Sequence, residues 1–201
     1  MSLAQSRPSL PPGTFWDTKI DAAVLQVLPG DHKVIDWPTV AVTTLLGSCV
    51  AACIRDTGLG LGGLNHFLLP GNKTNEAGSA RYGVNAMELL INDILKRGGR
   101  RDRLEAKVFG GGHVIEMSAA DKVGDRNARF VADYLRQEGI PVRASDLGGS
   151  RARRIYFFPE TGRASVLKLG TEAASALTSA EKRLQSRVEQ APRAGGLELF
   201  G

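Results

Sequence analysis

Cysteine and histidine are scarce in this chain. Its 201 residues hold two cysteines, Cys49 and Cys53, and three histidines, His32, His66 and His113. Two cysteines four apart on a strand lie ~13 Å from one another, too far to bond, so no disulfide framework is expected. Cys49, Cys53, His66 and His113 match no common zinc spacing, so no metal site is expected either. No stretch approaches ~20 consecutive apolar residues, so no membrane span is expected. The N-terminus, with Pro8, Pro11 and Pro12, carries no apolar run of the kind a signal peptide needs. Reduced thiols without a leader fit a cytoplasmic protein that is not inserted in a membrane. Acidic residues are outnumbered, 21 against 26 lysines and arginines, which leaves a net charge of +5. The basic residues are scattered, with clusters only at Arg97, Arg100, Arg101, Arg103 and at Arg151, Arg153, Arg154. They read as solvated faces, and no nucleic-acid partner is expected.

What is present is enough apolar sequence, 42% of the chain, to bury one core. The length fits one domain with loose ends. Residues 1–19 are rich in Ser and Pro and read as disordered. Strands are predicted over 22–28 and 39–46, and a strand pair over 49–69. A polar loop is predicted over 73–79. A helix follows to about Arg97, capped by Ser79, with Tyr82, Ala86, Leu89, Leu90 and Ile94 on one side. A strand at 106–109 runs into Gly110-Gly111-Gly112. A second helix covers 126–137, with Ala128, Val131, Tyr134 and Leu135 inward. A strand at 141–145 and a hairpin of 155–158 with 163–169 come next. A weak helix at 173–189 leads to a Gly-rich tail. The domain proper is thus 20–170, with a tail over 171–201. Many strands and two firm helices make an α+β sandwich.

The scarce residues meet in one place. Cys49 follows a Gly47-Ser48 turn in Leu46-Gly47-Ser48-Cys49-Val50-Ala51-Ala52-Cys53. His66 lies thirteen residues past Cys53 in Gly62-Gly63-Leu64-Asn65-His66-Phe67. A thiol and an imidazole are the minimum parts of an activated nucleophile. Arg55-Asp56-Thr57-Gly58-Leu59-Gly60 is a turn signal between two apolar segments. A four-residue loop at 56–59 sets Arg55 opposite Gly60, and so Cys49 directly opposite His66, with Cβ atoms about 4.5–5.5 Å apart. A one-residue slip would put them on opposite faces. Cys53 reads as core, further along the same face. The Gly110-Gly111-Gly112 run invites a phosphate-cradle reading. However, no helix starts directly after it and no lysine follows in P-loop spacing, so a strand-end turn is expected.

With these elements placed, the chain resembles the chemoreceptor glutamine deamidases, the CheD family, over about residues 22 to 169. The resemblance is carried by Thr43-Thr44-Leu45-Leu46-Gly47-Ser48-Cys49-Val50-Ala51 and Gly62-Gly63-Leu64-Asn65-His66-Phe67-Leu68-Leu69-Pro70. It continues through Arg81-Tyr82, Leu104-Glu105-Ala106-Lys107-Val108-Phe109-Gly110-Gly111-Gly112, Gly124-Asp125-Arg126-Asn127, and Gly139-Ile140 leading to Asp146-Leu147-Gly148-Gly149. Gly112, where the family usually has Ala, the His113 after it, and Ala152-Arg153 depart from the pattern.

The resemblance implies a layered α/β/β fold with mixed sheets, similar to bacterial toxin deamidases. It implies a Cys–His–Thr triad on Cys49, His66 and Thr43. Cys49 would attack as thiolate, and His66 would serve as base and then acid. Thr43 would hold the imidazole tautomer, with Thr44 as the competing candidate on the opposite face. Backbone N–H groups at Gly47, Ser48 and Cys49 would receive the oxyanion. The activity implied is hydrolysis of glutamine side chains to glutamate on methyl-accepting chemotaxis receptors, with glutamate methyl esters reacting similarly. The substrate is the helical cytoplasmic region of those receptors, so a rather open cleft is expected. A monomer without cofactor is expected, with a CheC-type phosphatase as a further partner. Two rivals are a non-catalytic receptor or phosphatase adaptor and a nucleotide-binding protein built on the glycine loop.

Overall fold

The computed structural model describes residues 10–69, 76–113, 123–170 and positions 183, 184 and 186. Ten strands and two long helices are found among them. The strands are β1 (Thr14–Asp17), β2 (Ala22–Gln26), β3 (His32–Ile35), β4 (Ala41–Leu46), β5 (Val50–Asp56), β6 (Gly62–Asn65), β7 (Leu104–Gly110), β8 (Val142–Leu147), β9 (Arg153–Phe157) and β10 (Ala164–Lys168). The helices are α1 (Glu76–Lys96) and α2 (Val123–Gln137), with a 3-10 turn at Arg101–Arg103. One sheet has the order β1-β2-β4-β9-β10 and the other β3-β6-β5-β7-β8. Both are mixed, because β2 runs parallel to β4 and β7 parallel to β8.

Alternation along β5 explains the layering. Val50, Ala52 and Ile54 face one way and join Phe67, Met87, Leu90, Ile91, Ile94, Val131 and Leu135 in a core between this sheet and the helices. Cys49, Ala51 and Cys53 face the other way, into a second core with Val42, Leu46, Leu64, Leu68, Ile155 and Phe157 of both sheets. A strand with apolar residues on both faces belongs in a central layer. The result is the layered α/β/β arrangement, with the sheet that carries β5 in the middle.

Several local expectations are corrected. Thr14–Asp17, inside the segment read as disordered, is an edge strand paired with β2. The Thr14 N–H and hydroxyl both donate to Pro11 O, so the Pro-Gly turn starts the strand. Strand β3 has no sequence counterpart among the expectations; it is only four residues long and mixed in polarity. α1 begins at Glu76, which places Ser79 inside the helix and not at its cap. Leu89 is exposed, and Met87 and Ile91 take the core positions. The polar loop expected over 73–79 is shorter than that, because 76–79 form the first turn of α1 and 73–75 lie outside the described residues. The C-terminal helix falls largely outside the described residues; positions 183, 184 and 186 are helical.

The β5–β6 hairpin differs from expectation by two residues. Arg55 stands opposite Gly62, and Val50 opposite Phe67. The cause is Asp56. Its Oδ1 accepts the N–H groups of Gly58 and Leu59, and its Oδ2 accepts from the Arg100 N–H and the Arg103 guanidinium. Asp56 is therefore the last strand residue and closes the loop at 57–60, with its N–H on Leu61 O at 2.8 Å. A shift of two keeps every side chain on its face, so Cys49 and His66 stay on one face as diagonal neighbours and not as a direct pair.

Asp56 is fully buried. Burial alone would push its carboxyl up, but the N–H groups of Arg100, Gly58 and Leu59 and the charge of Arg103 outweigh burial and hold it below its usual range. A carboxyl lowered in the fold stabilises fully above its unfolded value of about 3.9, and that stability is lost as pH falls through the folded value. Asp56→Asn is therefore expected to lose about 2 kcal/mol at pH 7, and the gap to wild type should narrow in acid. Urea denaturation at pH 7 and pH 3 measures it, and an equal gap at both would contradict the assignment.

Candidate active site

The segment around His66 is held by unusual pairing. Asn65 is buried, and its Oδ1 accepts the Ala52 N–H at 2.9 Å where a ladder carbonyl would normally stand. Its Nδ2 donates to Ala86 O of α1 at 3.0 Å. β6 ends there, and His66 turns to the loop before β3: its N–H donates to Asp31 O at 2.9 Å, and its carbonyl accepts the Gly30 N–H at 2.7 Å. Phe67 then returns to β5 through two 3.0 Å bonds with Val50. The histidine backbone is thus fixed on both sides while its ring enters the space between the sheets.

In that space the ring meets β4. Thr44 Oγ1 lies 2.8 Å from His66 Nδ1 and 2.8 Å from the carbonyl oxygen of Val27. A hydroxyl has one hydrogen to give, and a carbonyl can only accept. Both contacts are satisfied when the hydroxyl donates to Val27 O and accepts from an Nδ1–H of His66. That tautomer puts the basic lone pair on Nε2. The ring is buried at 1% exposure, and Cys49 at 0%.

The expectation that Thr43 meets the imidazole is therefore corrected: the hydroxyl on His66 Nδ1 belongs to Thr44. Thr44 stands opposite Ile155 of the inter-sheet core, whereas Thr43 stands opposite Tyr156. Tyr156 belongs to a separate cluster with Val24 and Ala41 on the outer face of that sheet. Strand alternation sends the two threonines to opposite faces, and only one face looks at His66. Thr43 Oγ1 is buried and meets no hydrogen-bonding partner among the described residues. The expected open cleft is also corrected, because Cys49 and His66 both lie inside the inter-sheet core. Cys53 is core, as read, and burial pushes its thiol up.

The turn bearing Cys49 is built from three places. Gly110 takes φ +106°, and a Cβ there would lie 2.2 Å from Cys49 O. This glycine lets the end of β7 fold over the turn. The next N–H groups are all spent on protein: Gly111 on Cys49 O, Gly112 on Gly47 O and His113 on Gly149 O. The glycine run is thus a strand-end turn and not a phosphate cradle, as the sequence favoured. The first turn of α2 packs on this loop because Gly124 has no side chain; a Cβ would sit 2.5 Å from Gly111 O. Arg153 is buried and ties the following loop through Asp146, with 2.8 Å to Oδ1, and through the carbonyls of Asp146 and Gly148.

The sequence reading gave Asn127 no role. Its Nδ2 donates to Ser48 O at 2.7 Å, and its Oδ1 accepts the Leu69 N–H at 2.9 Å. The available signal was a polar residue in the buried stripe Asn127, Val131, Tyr134, Leu135 of α2. Among the described residues no His, Cys, Asp and Glu side chains gather as a metal would need, and no helix is long and apolar enough to cross a membrane.

Known proteins share this sequence over nearly all its length. The family model described as CheD chemotactic sensory transduction matches residues 68–168. The probable chemoreceptor glutamine deamidase CheD of Xanthomonas campestris pv. campestris is 48% identical over 186 residues, 92% of this chain and 93% of the relative. The protein of the same name in Stenotrophomonas maltophilia K279a is 47% identical over 186 residues, with the same coverage. The probable chemoreceptor glutamine deamidase CheD 1 of Shewanella oneidensis is 46% identical over 194 residues, 94% of each chain. Near-half identity across more than nine-tenths of both partners settles the relationship, and the chain belongs to the CheD family.

Proposed function

We propose that this protein deamidates glutamine side chains of chemoreceptors to glutamate, with Cys49 as nucleophile, His66 as base and Thr44 as the holder of the base. The observation that carries the reading is the Thr44–His66 contact, which fixes the tautomer with Nε2 basic, on the face of the middle sheet that Cys49 shares. The relatives' name supplies the substrate class.

The steps follow from these groups. His66 Nε2 takes the Cys49 proton, and Nδ1–H keeps donating to Thr44 Oγ1, whose lone pair stabilises the growing positive charge of the ring. The thiolate attacks the amide carbon of a glutamine side chain. The carbonyl oxygen becomes an oxyanion facing the N–H groups at Gly47, Ser48 and Cys49. The imidazolium returns its proton to the leaving nitrogen, ammonia departs, and a thioester remains. Water, deprotonated by His66, hydrolyses the thioester to glutamate and restores the thiol. A glutamate methyl ester would follow the same path with methanol leaving. A buried Cys49 requires neighbouring groups to shift before a glutamine enters. The receptor's cytoplasmic helical region is the proposed substrate.

The test is a time course of amide-to-acid conversion in a receptor cytoplasmic fragment, followed by ammonia release and by the ~1 Da mass gain per site. Wild type should convert it. Thr44→Val, which leaves Nδ1–H unmet and favours the wrong tautomer, should slow turnover about 10- to 100-fold. Thr43→Val should stay within about threefold of wild type, since its hydroxyl meets no partner among the described residues. A slower Thr43→Val than Thr44→Val would reverse this assignment. No conversion across several receptors would favour a non-catalytic adaptor.

A further inference from the structure

Three consecutive carbonyls in the turn that presents Cys49 are each held by a different donor. Gly112 N–H holds Gly47 O at 2.7 Å, and Gly111 N–H holds Cys49 O at 2.8 Å. Between them, Asn127 Nδ2 holds Ser48 O at 2.7 Å. The outer two ties are main chain, so only the middle one depends on a side chain. Asn127 is fully buried, and its Oδ1 also accepts the N–H of Leu69 at 2.9 Å. One partner is a carbonyl and the other an N–H, so only one orientation of the amide satisfies both. Leu69 lies three residues past His66 in the chain. A single amide thus ties the nucleophile turn to the segment leaving the base.

A peptide unit is planar and trans, so the N–H of Cys49 points opposite to the carbonyl of Ser48. Whatever orients that carbonyl orients that N–H. We propose that Asn127 is a positioning residue: by holding Ser48 O it aims the Cys49 N–H at the oxygen that gains charge in the tetrahedral intermediate. The inference rests on the deamidation reading above. Donors fixed before reaction lower the barrier most, because nothing has to reorient as charge develops. A merely structural amide would affect stability and leave the chemistry at Cys49 alone.

Asn127→Asp separates the two ties. It keeps an acceptor for Leu69 N–H and loses the donor to Ser48 O. Asn127→Ser is too short for either and serves as the second variant. Each is assayed on the receptor fragment for kcat and KM, and for Cys49 alkylation by iodoacetamide, a displacement that builds no oxyanion. In whichever variant folds, kcat should fall about 10- to 100-fold, while KM and the alkylation rate stay within about threefold of wild type. An unchanged kcat overturns the proposal, and so does a parallel loss of kcat and alkylation, which would mean a displaced thiol. If neither variant folds, Asn127 belongs to the framework and the positioning role fails. A wild type that releases no ammonia would instead sink the deamidation reading itself.

Discussion

Cys49→Ala will reduce ammonia release from a receptor fragment by at least about a thousand-fold while the protein stays folded. Cys49 is a small residue at 0% exposure in the inter-sheet core. Removing its sulfur deletes about one methylene-sized group, a loss near 1 kcal/mol. The variant should therefore unfold within a few degrees of wild type and still bind receptor. The chemical loss is of another order, because no neighbouring group replaces the thiolate. Cys53 is the other thiol, but it lies four residues further along in the core, and burial pushes its thiol up. Substantial activity in Cys49→Ala would remove the nucleophile from the mechanism. Full binding with no release in either protein would favour the adaptor reading.

His66→Asn should lower turnover at least about a hundred-fold, the scale of lost general acid–base catalysis. Asparagine is the informative replacement because its amide reaches about as far as Nδ1 and still meets Thr44, so the inter-sheet contact of 2.8 Å has a substitute. What it lacks is the basic Nε2. Without a base beside it the buried thiol keeps its proton, so iodoacetamide alkylation of Cys49 should slow as pH falls toward neutral. Wild type should stay faster through that range, because His66 takes the proton. Both proteins bury the thiol alike, so the ratio of rates reports activation and not access. Equal alkylation rates in the two would mean that His66 does not activate Cys49.

Much of the candidate site is legible in the sequence. Two cysteines and three histidines left few pairs to consider, and a Gly-Ser turn before Cys49 marked the nucleophile candidate. The common face of Cys49 and His66 was legible too, because period-two alternation survives any even shift of register. The pairing itself was not. Asp56 uses its carboxylate to cap the loop from the last strand position, and its Arg100 and Arg103 partners are remote in sequence. The apolar run of β5 marked a buried strand and the periodic stripes of α1 and α2 marked two amphipathic helices, whereas the α/β/β layering was implied by the family resemblance.

Tertiary structure decided the residues that serve the pair. Thr43 and Thr44 are adjacent, identical in type and both buried. Sequence provides alternation but not phase against a distant strand. Only the stacking of β4 over the middle sheet shows that Thr44 faces His66 while Thr43 faces away with Tyr156. Asn127 is a sharper case. It is 79 residues from Ser48 and 58 from Leu69, and its two hydrogen bonds exist only because α2 docks on the glycine loop. Local chemistry along the chain singled out Cys49 and His66 as candidates and gave the alternating faces. Contacts between elements far apart in sequence, which no local pattern encodes, chose the hydroxyl on the base and the amide behind the turn.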